Sequence, residues 1–250
     1  MKKKVTLRFY EELNYFLPEQ KKKKRFEHNF IDRTSVKDLI ESLGVPHTEI
    51  DLILVNGKSI GFEYIINDED DISVYPVFES LDISDVQHLR PKSLRNPKFI
   101  ADVHLGRLTR YLRIMGFDVF YKNNLSDEEI VKISAKERRA ILTRDIGVLK
   151  RTGVTHGYFI RSDKVEKQTE EVVKRFDLQK SIKEFTRCLD CNSELSKIEK
   201  EKVIHSLPPK VAASQNEFFI CPECQKLFWA GTHHQKMLSL VQKIKTMNFS

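Results

Sequence analysis

Phe99-Ile100-Ala101-Asp102-Val103-His104-Leu105-Gly106-Arg107-Leu108 decides how this chain folds. A short apolar run stops at an aspartate, and apolar residues then recur at helical spacing through Leu105, Leu108, Leu112 and Met115. An unbroken apolar run fits a strand buried on both faces, and the 3.6-residue period fits a helix lying against it. Gly116 ends that helix. The alternation continues downstream. Residues 117–121 read as a strand, and Ser126 with Glu129 forms a capping box that opens a helix through Ile130 and Ile133. Residues 140–143 form a buried strand and 157–161 another. Residues 164–176 form a helix with Val165, Val172, Val173 and Phe176 inward. Strands alternating with helices predict an α/β domain with a parallel sheet over residues 99–186.

In an open parallel sheet the functional site lies beyond the carboxyl ends of the strands. Asp102, Asp145 and Asp163 each follow a strand, and Asp127 opens the helix after another. Carboxylates gathered at one sheet end repel unless a cation sits among them. Oxygen ligands suit Mg²⁺ or Mn²⁺, which polarises a phosphoryl oxygen and ionises water for in-line attack. Each acid also has a plain structural use. Asp127, with Glu128 and Glu129, complements a helix dipole. Asp145 fits a cap of the next turn, and Asp163 fits an N-cap before Lys164. Arg107, Arg110 and Arg113 recur every third residue, opposite the leucine face. Such a stripe suits a phosphodiester backbone, or is an ordinary solvated face. Arg144 is placed to contact phosphate or to tether Asp145.

Toward the C-terminus stand two cysteine pairs, Cys188-Leu189-Asp190-Cys191 and Cys221-Pro222-Glu223-Cys224, and the chain holds no other cysteine. Two such pairs make a closed tetrahedral sulfur site for structural Zn²⁺. The rival reading, two disulfides, needs an oxidising compartment. The start, Met1-Lys2-Lys3-Lys4 followed by an alternating strand, is unlike a signal peptide, and no run is long enough to span a membrane. The expectation is therefore a cytoplasmic protein with reduced, zinc-binding thiols. The 29 residues between the pairs, 192–220, exceed the common ribbon spacing, so 203–217 read as an insertion. Trp229 fits packing of the ribbon or stacking on RNA bases, and 239–247 fits a terminal amphipathic helix.

Residues 1–80 read as an α+β unit of order ββαββ: strands near 5–10, 26–30, 52–55 and 72–78, with a Ser35-capped helix ending at Gly44 and a hairpin signal at Asn56-Gly57. Residues 81–98 read as a linker. Apolar content of 40%, charged content of 32% and net charge +7 describe a globular protein that favours an anionic partner, most simply nucleic acid.

The first unit resembles a ubiquitin-like β-grasp domain, carried by Val55-Asn56-Gly57 and by 67–76. It lacks the terminal Gly-Gly of sulfur carriers, which leaves binding or scaffolding, with a protein partner as one expectation. Residues 99–108, with Tyr111-Leu112-Arg113, Gly116-Phe117-Asp118, Ile141-Leu142-Thr143-Arg144-Asp145, both cysteine pairs and Phe228-Trp229-Ala230-Gly231-Thr232-His233, resemble the Mut-seven C-terminal RNase domain family. That resemblance implies a PIN-like nuclease domain at 99–186 and a zinc ribbon with C-terminal helix at 187–250. It implies a ribonuclease, with endonucleolytic cleavage as the expectation, using Mg²⁺ or Mn²⁺ on Asp102, Asp127 and Asp145, with Asp163 as the fourth acid. Arg107, Arg110, Arg113 and Arg144 would face RNA. A non-catalytic RNA-binding adaptor is the alternative.

Overall fold

The computed structural model describes residues 3–31, 33–77, 89, 97–229 and 231–248, without the side chains of 232–234 and 236. The expected linker lies outside the described residues except at 89, 97 and 98, and the side chain of His233 lies outside them too. The chain forms two compact units. One joins Met1–Asn96 to Asp127–Phe159, and the other joins Pro97–Ser126 to Ile160–Ser250.

The first unit begins with β1 (Lys3–Phe9), β2 (Phe26–Phe30), α1 (Val36–Ser42), β3 (Ile50–Val55), β4 (Lys58–Ser59) and β5 (Asp71–Pro76). The sheet order is β2-β1-β5-β3-β4, with β1 parallel to β5 and the other pairs antiparallel. Alternation in β1 sends Val5, Leu7 and Phe9 into a core with Leu39 and Ile40 of α1 and Ile53, Ile72 and Val74 of the sheet. The Ser35 hydroxyl accepts from the Asp38 N–H and starts α1. Asn56 and Gly57 both take positive φ, 51° and 79°, which the tight β3–β4 turn requires and few other residue pairs tolerate.

Residues 98–159 divide between the units. The second unit takes β6 (Lys98–Ala101), α2 (Gly106–Ile114) and β7 (Val119–Phe120), with β6 parallel to β7. The first unit takes α3 (Asp127–Glu137), β8 (Arg139–Thr143), α4 (Ile146–Leu149) and β9 (Gly157–Phe159), with β8 parallel to β9. Residues 140–143 of β8 are buried, as expected, and Arg139 is buried with them.

The helical segments of the ubiquitin-like domain, not its sheet, meet β9 and the end of α4. The Phe159 N–H donates to Glu49 Oε1 at 2.7 Å, and Glu49 is 2% exposed. The Phe159 ring meets Tyr15 and Phe16. Lys150 Nζ donates to the Glu41 carbonyl, and the His47 ring bridges the Glu41 carboxylate and the Val154 carbonyl. These contacts draw 127–159 into one unit with the N-terminal domain.

The second unit continues through α5 (Val165–Arg175), β10 (Ser196–Ile198), α6 (Lys200–Val203), α7 (Pro209–Ser214), β11 (Phe218–Ile220), β12 (Leu227–Phe228) and α8 (Thr232–Thr246). Strands β10-β11-β12 form an antiparallel sheet. The long spacing between cysteine pairs is filled by the helical insertion α6–α7, whose Val203 and Leu207 bury with Phe218. Trp229 packs on this small core, at 6.4 Å from the Phe218 ring. Helix α8 is tied back by Gln179, whose side-chain N–H groups donate to the carbonyls of Ile244 and Met247. It is also held by Glu170 of α5, which pairs with Lys243. Among the described residues no helix is long and apolar enough to cross a membrane.

Candidate functional site

The four cysteines converge. Their sulfurs all lie within 4.8 Å of one another, with Cys188–Cys224 at 3.6 Å and Cys191–Cys221 at 3.4 Å. A tetrahedral ion with bonds of about 2.3 Å places its sulfurs about 3.8 Å apart, so the donor set fits Zn²⁺. Each pair sits on a knuckle of the same build. The carbonyls of Cys188 and Cys221 accept from the N–H of Asn192 and Gln225, and both of these residues take positive φ. Burial pushes the Cys188 thiol up to about 12. Burial acts the same way on Cys191, but hydrogen bonding with Ser193 and with the Cys221 and Cys188 sulfurs together outweighs it and holds that thiol down at about 6. Binding an ion requires all four as thiolates, so zinc uptake releases protons.

Arg113 corrects the expected basic stripe. It is 3% exposed and points away from solvent. Its Nε and Nη2 donate to the Val119 carbonyl, and Nη1 donates to the carbonyls of Leu189 and Asp190 inside the first knuckle. Burial lowers its pKa, while the nearby Cys188 and Cys191 sulfurs oppose that shift. Arg113 is therefore a brace between α2, β7 and the knuckle rather than an RNA contact. Asn192 adds a second tie that sequence reading missed: its side chain accepts from the Val119 N–H and donates to Asp118. Arg107, Arg110 and Arg144 are exposed, as an RNA-facing role requires.

The acids divide between the units. Asp102 directly follows β6 in the second unit, is 7% exposed, and its Oδ1 accepts from the Val103 N–H at 2.6 Å. Asp163 shares that unit, is exposed, and stands one residue before the N-cap position of α5, which Lys164 occupies without a side-chain cap. Asp163 thus does not serve as the expected cap. In the first unit, Asp145 follows β8 and caps α4 through an Oδ1 bond from the Gly147 N–H. Asp127 begins α3 and pairs with Arg151 at 3.1 Å.

Tyr121 is a further residue that the sequence did not single out. Its hydroxyl donates to the Val103 carbonyl, beside Asp102.

The Mut7-C RNAse domain family model matches residues 97–241, and the Mut7-C ubiquitin model matches residues 2–82. No curated protein and no solved structure matches the chain. The first match alone covers more than half of the 250 residues and includes α2, the β8 strand end and both zinc knuckles. With the ubiquitin-like domain ahead of it, the chain belongs to the Mut7-C RNAse domain family.

Proposed function

We propose that the chain is a metal-dependent ribonuclease that hydrolyses RNA phosphodiesters endonucleolytically at a site built from Asp102, Asp127 and Asp145, with Asp163 as the fourth acid. Family membership supplies the nuclease class. One observation carries the finer reading. Strands β6 and β8 are followed, one and two residues on, by an aspartate whose Oδ1 is fixed by a backbone N–H of the following turn, Val103 for Asp102 and Gly147 for Asp145. A carboxylate held in this way keeps one orientation at a strand end, where parallel sheets place their sites. All-oxygen donors of this kind fit Mg²⁺ or Mn²⁺. A cation held by them supplies Lewis-acid polarisation of phosphate and an acidified water. The exposed Arg107, Arg110 and Arg144 bind and orient the RNA backbone. The zinc knuckle, through Arg113, keeps the helix that follows Asp102 in place.

The test is RNA cleavage by the zinc-loaded chain with Mn²⁺. Asp102→Asn should abolish it and Asp145→Asn should cripple it. Cleavage by Asp102→Asn at the wild-type rate would refute the reading. The Arg151–Asp127 ion pair favours a second reading, an RNA-binding adaptor whose carboxylates serve structure. That reading expects salt-dependent RNA binding that survives replacement of all three aspartates, and no RNA cleavage with any metal. A protein partner of the ubiquitin-like domain completes the proposal. Pull-down that survives removal of RNA would support it.

A further inference from the structure

The turn that presents Asp102 is clamped from both sides, and the clamp depends on two residues outside the acidic set. The Val103 N–H donates to Asp102 Oδ1 at 2.6 Å, and the Val103 carbonyl accepts from the Tyr121 hydroxyl at 2.9 Å. Tyr121 directly follows β7, which pairs with β6, so the two strands that set the turn also deliver the clamp. The hydroxyl reaches Val103 across Gly106. A Cβ on Gly106 would lie 2.8 Å from the Tyr121 oxygen and 3.1 Å from its ring carbon. Gly106 has φ −57° and opens α2, so its backbone does not require glycine. Alanine is the better helix former there, and the reason for glycine lies in the space that Tyr121 occupies.

We infer that Tyr121 is a positioning residue for Asp102, acting through Val103, and that Gly106 is the residue that admits it. This rests on the assignment of Asp102 as a metal ligand. Tyr121 touches neither RNA nor cation in this scheme. It removes freedom from the Asp102 turn, so that the carboxylate is already oriented when a cation arrives.

Mn²⁺ titration of the full zinc-loaded chain, followed by electron paramagnetic resonance, tests this without relying on cleavage. Tyr121→Phe deletes one hydrogen bond and should weaken Mn²⁺ binding roughly two- to tenfold, the worth of one net bond. Gly106→Ala should weaken it similarly while leaving the melting temperature of the zinc-loaded chain without Mn²⁺ unchanged or higher. In the Tyr121→Phe background Gly106→Ala should add little, because both changes act on one bond. Wild-type Mn²⁺ affinity in Tyr121→Phe, with binding lost in Asp102→Asn, overturns the inference and leaves the proposed function standing. Wild-type affinity in Asp102→Asn overturns both. Additive effects of the two substitutions also overturn the inference, since separate mechanisms would then be acting.

Discussion

Replacing Arg113 with Met should uncouple the first zinc knuckle from α2. The guanidinium is 3% exposed and makes four hydrogen bonds to three carbonyls, those of Val119, Leu189 and Asp190. Hydrogen bonds to a charged donor contribute about 1.5–3 kcal/mol each. A simple sum overstates the loss, because methionine keeps an apolar stem and spares the cost of burying a charge. Carbonyls left without their donor set the remaining cost, so the expected destabilisation is about 3–5 kcal/mol. For a chain of this size that is a fall in melting temperature of roughly 6–20 °C. Arg113→Lys keeps the charge but loses the planar fork that spans three acceptors, and should recover less than half of the loss. Thermal unfolding of the zinc-loaded protein reads the first effect. Transfer of zinc to a coloured chelator reads the second, and should be faster in both variants. If both variants melt within about 1 kcal/mol of wild type and release zinc at its rate, Arg113 is not a brace.

Three further outcomes follow from the geometry. Against burial, Lys167 and Lys243 hold the Glu170 carboxyl below its ordinary value. A lowered folded-state pKa contributes stability above the unfolded value, and that contribution is lost as pH falls through the folded one. Glu170→Gln should therefore destabilise the α5–α8 attachment at pH 7 and match wild type in strong acid, as read by melting against pH. Arg151→Ala removes an exposed ion pair, so stability should change by less than about 1 kcal/mol. Mn²⁺ binding should tighten as Asp127 loses its competitor, and weaker binding would count against Asp127 as a ligand. Stripping zinc should raise amide exchange at Gly116 to Val119, which the knuckle holds through Asn192, Arg113 and Arg187, and leave β1–β5 protected. Mass spectrometry of exchanged fragments checks this.

The strands and helices were legible because period and punctuation agreed: apolar runs for β6 and β8, leucine spacing for α2, Ser35 and Asn56-Gly57 for the first domain. The zinc quartet was legible from spacing alone. Arg113 was not. A three-residue repeat drifts by about 60° per step around a helix, so Arg107, Arg110 and Arg113 fan across the surface rather than form one stripe. Which flank becomes buried depends on the knuckle, some 75 positions away in sequence. The Asp163 boundary slipped by one residue, as helix starts do. The split of 98–159 between units was invisible for a related reason. It depends on side chains such as Glu49 and His47, which look like ordinary surface polar residues until their partners arrive.

Glu49 carries a consequence for how the two matched segments live together. A strand edge with open N–H groups is a template for another chain. Here the outward N–H of β9 is closed by a carboxylate from the ubiquitin-like domain, and Tyr15 and Phe16 cover the same residue. The N-terminal domain thus works as a resident edge guard, a duty that a free ubiquitin-like module does not have. Deleting residues 1–82 would leave the Phe159 N–H as an adhesive rim rather than liberate an independent nuclease. The union of the two domains in one polypeptide then reads as a folding requirement.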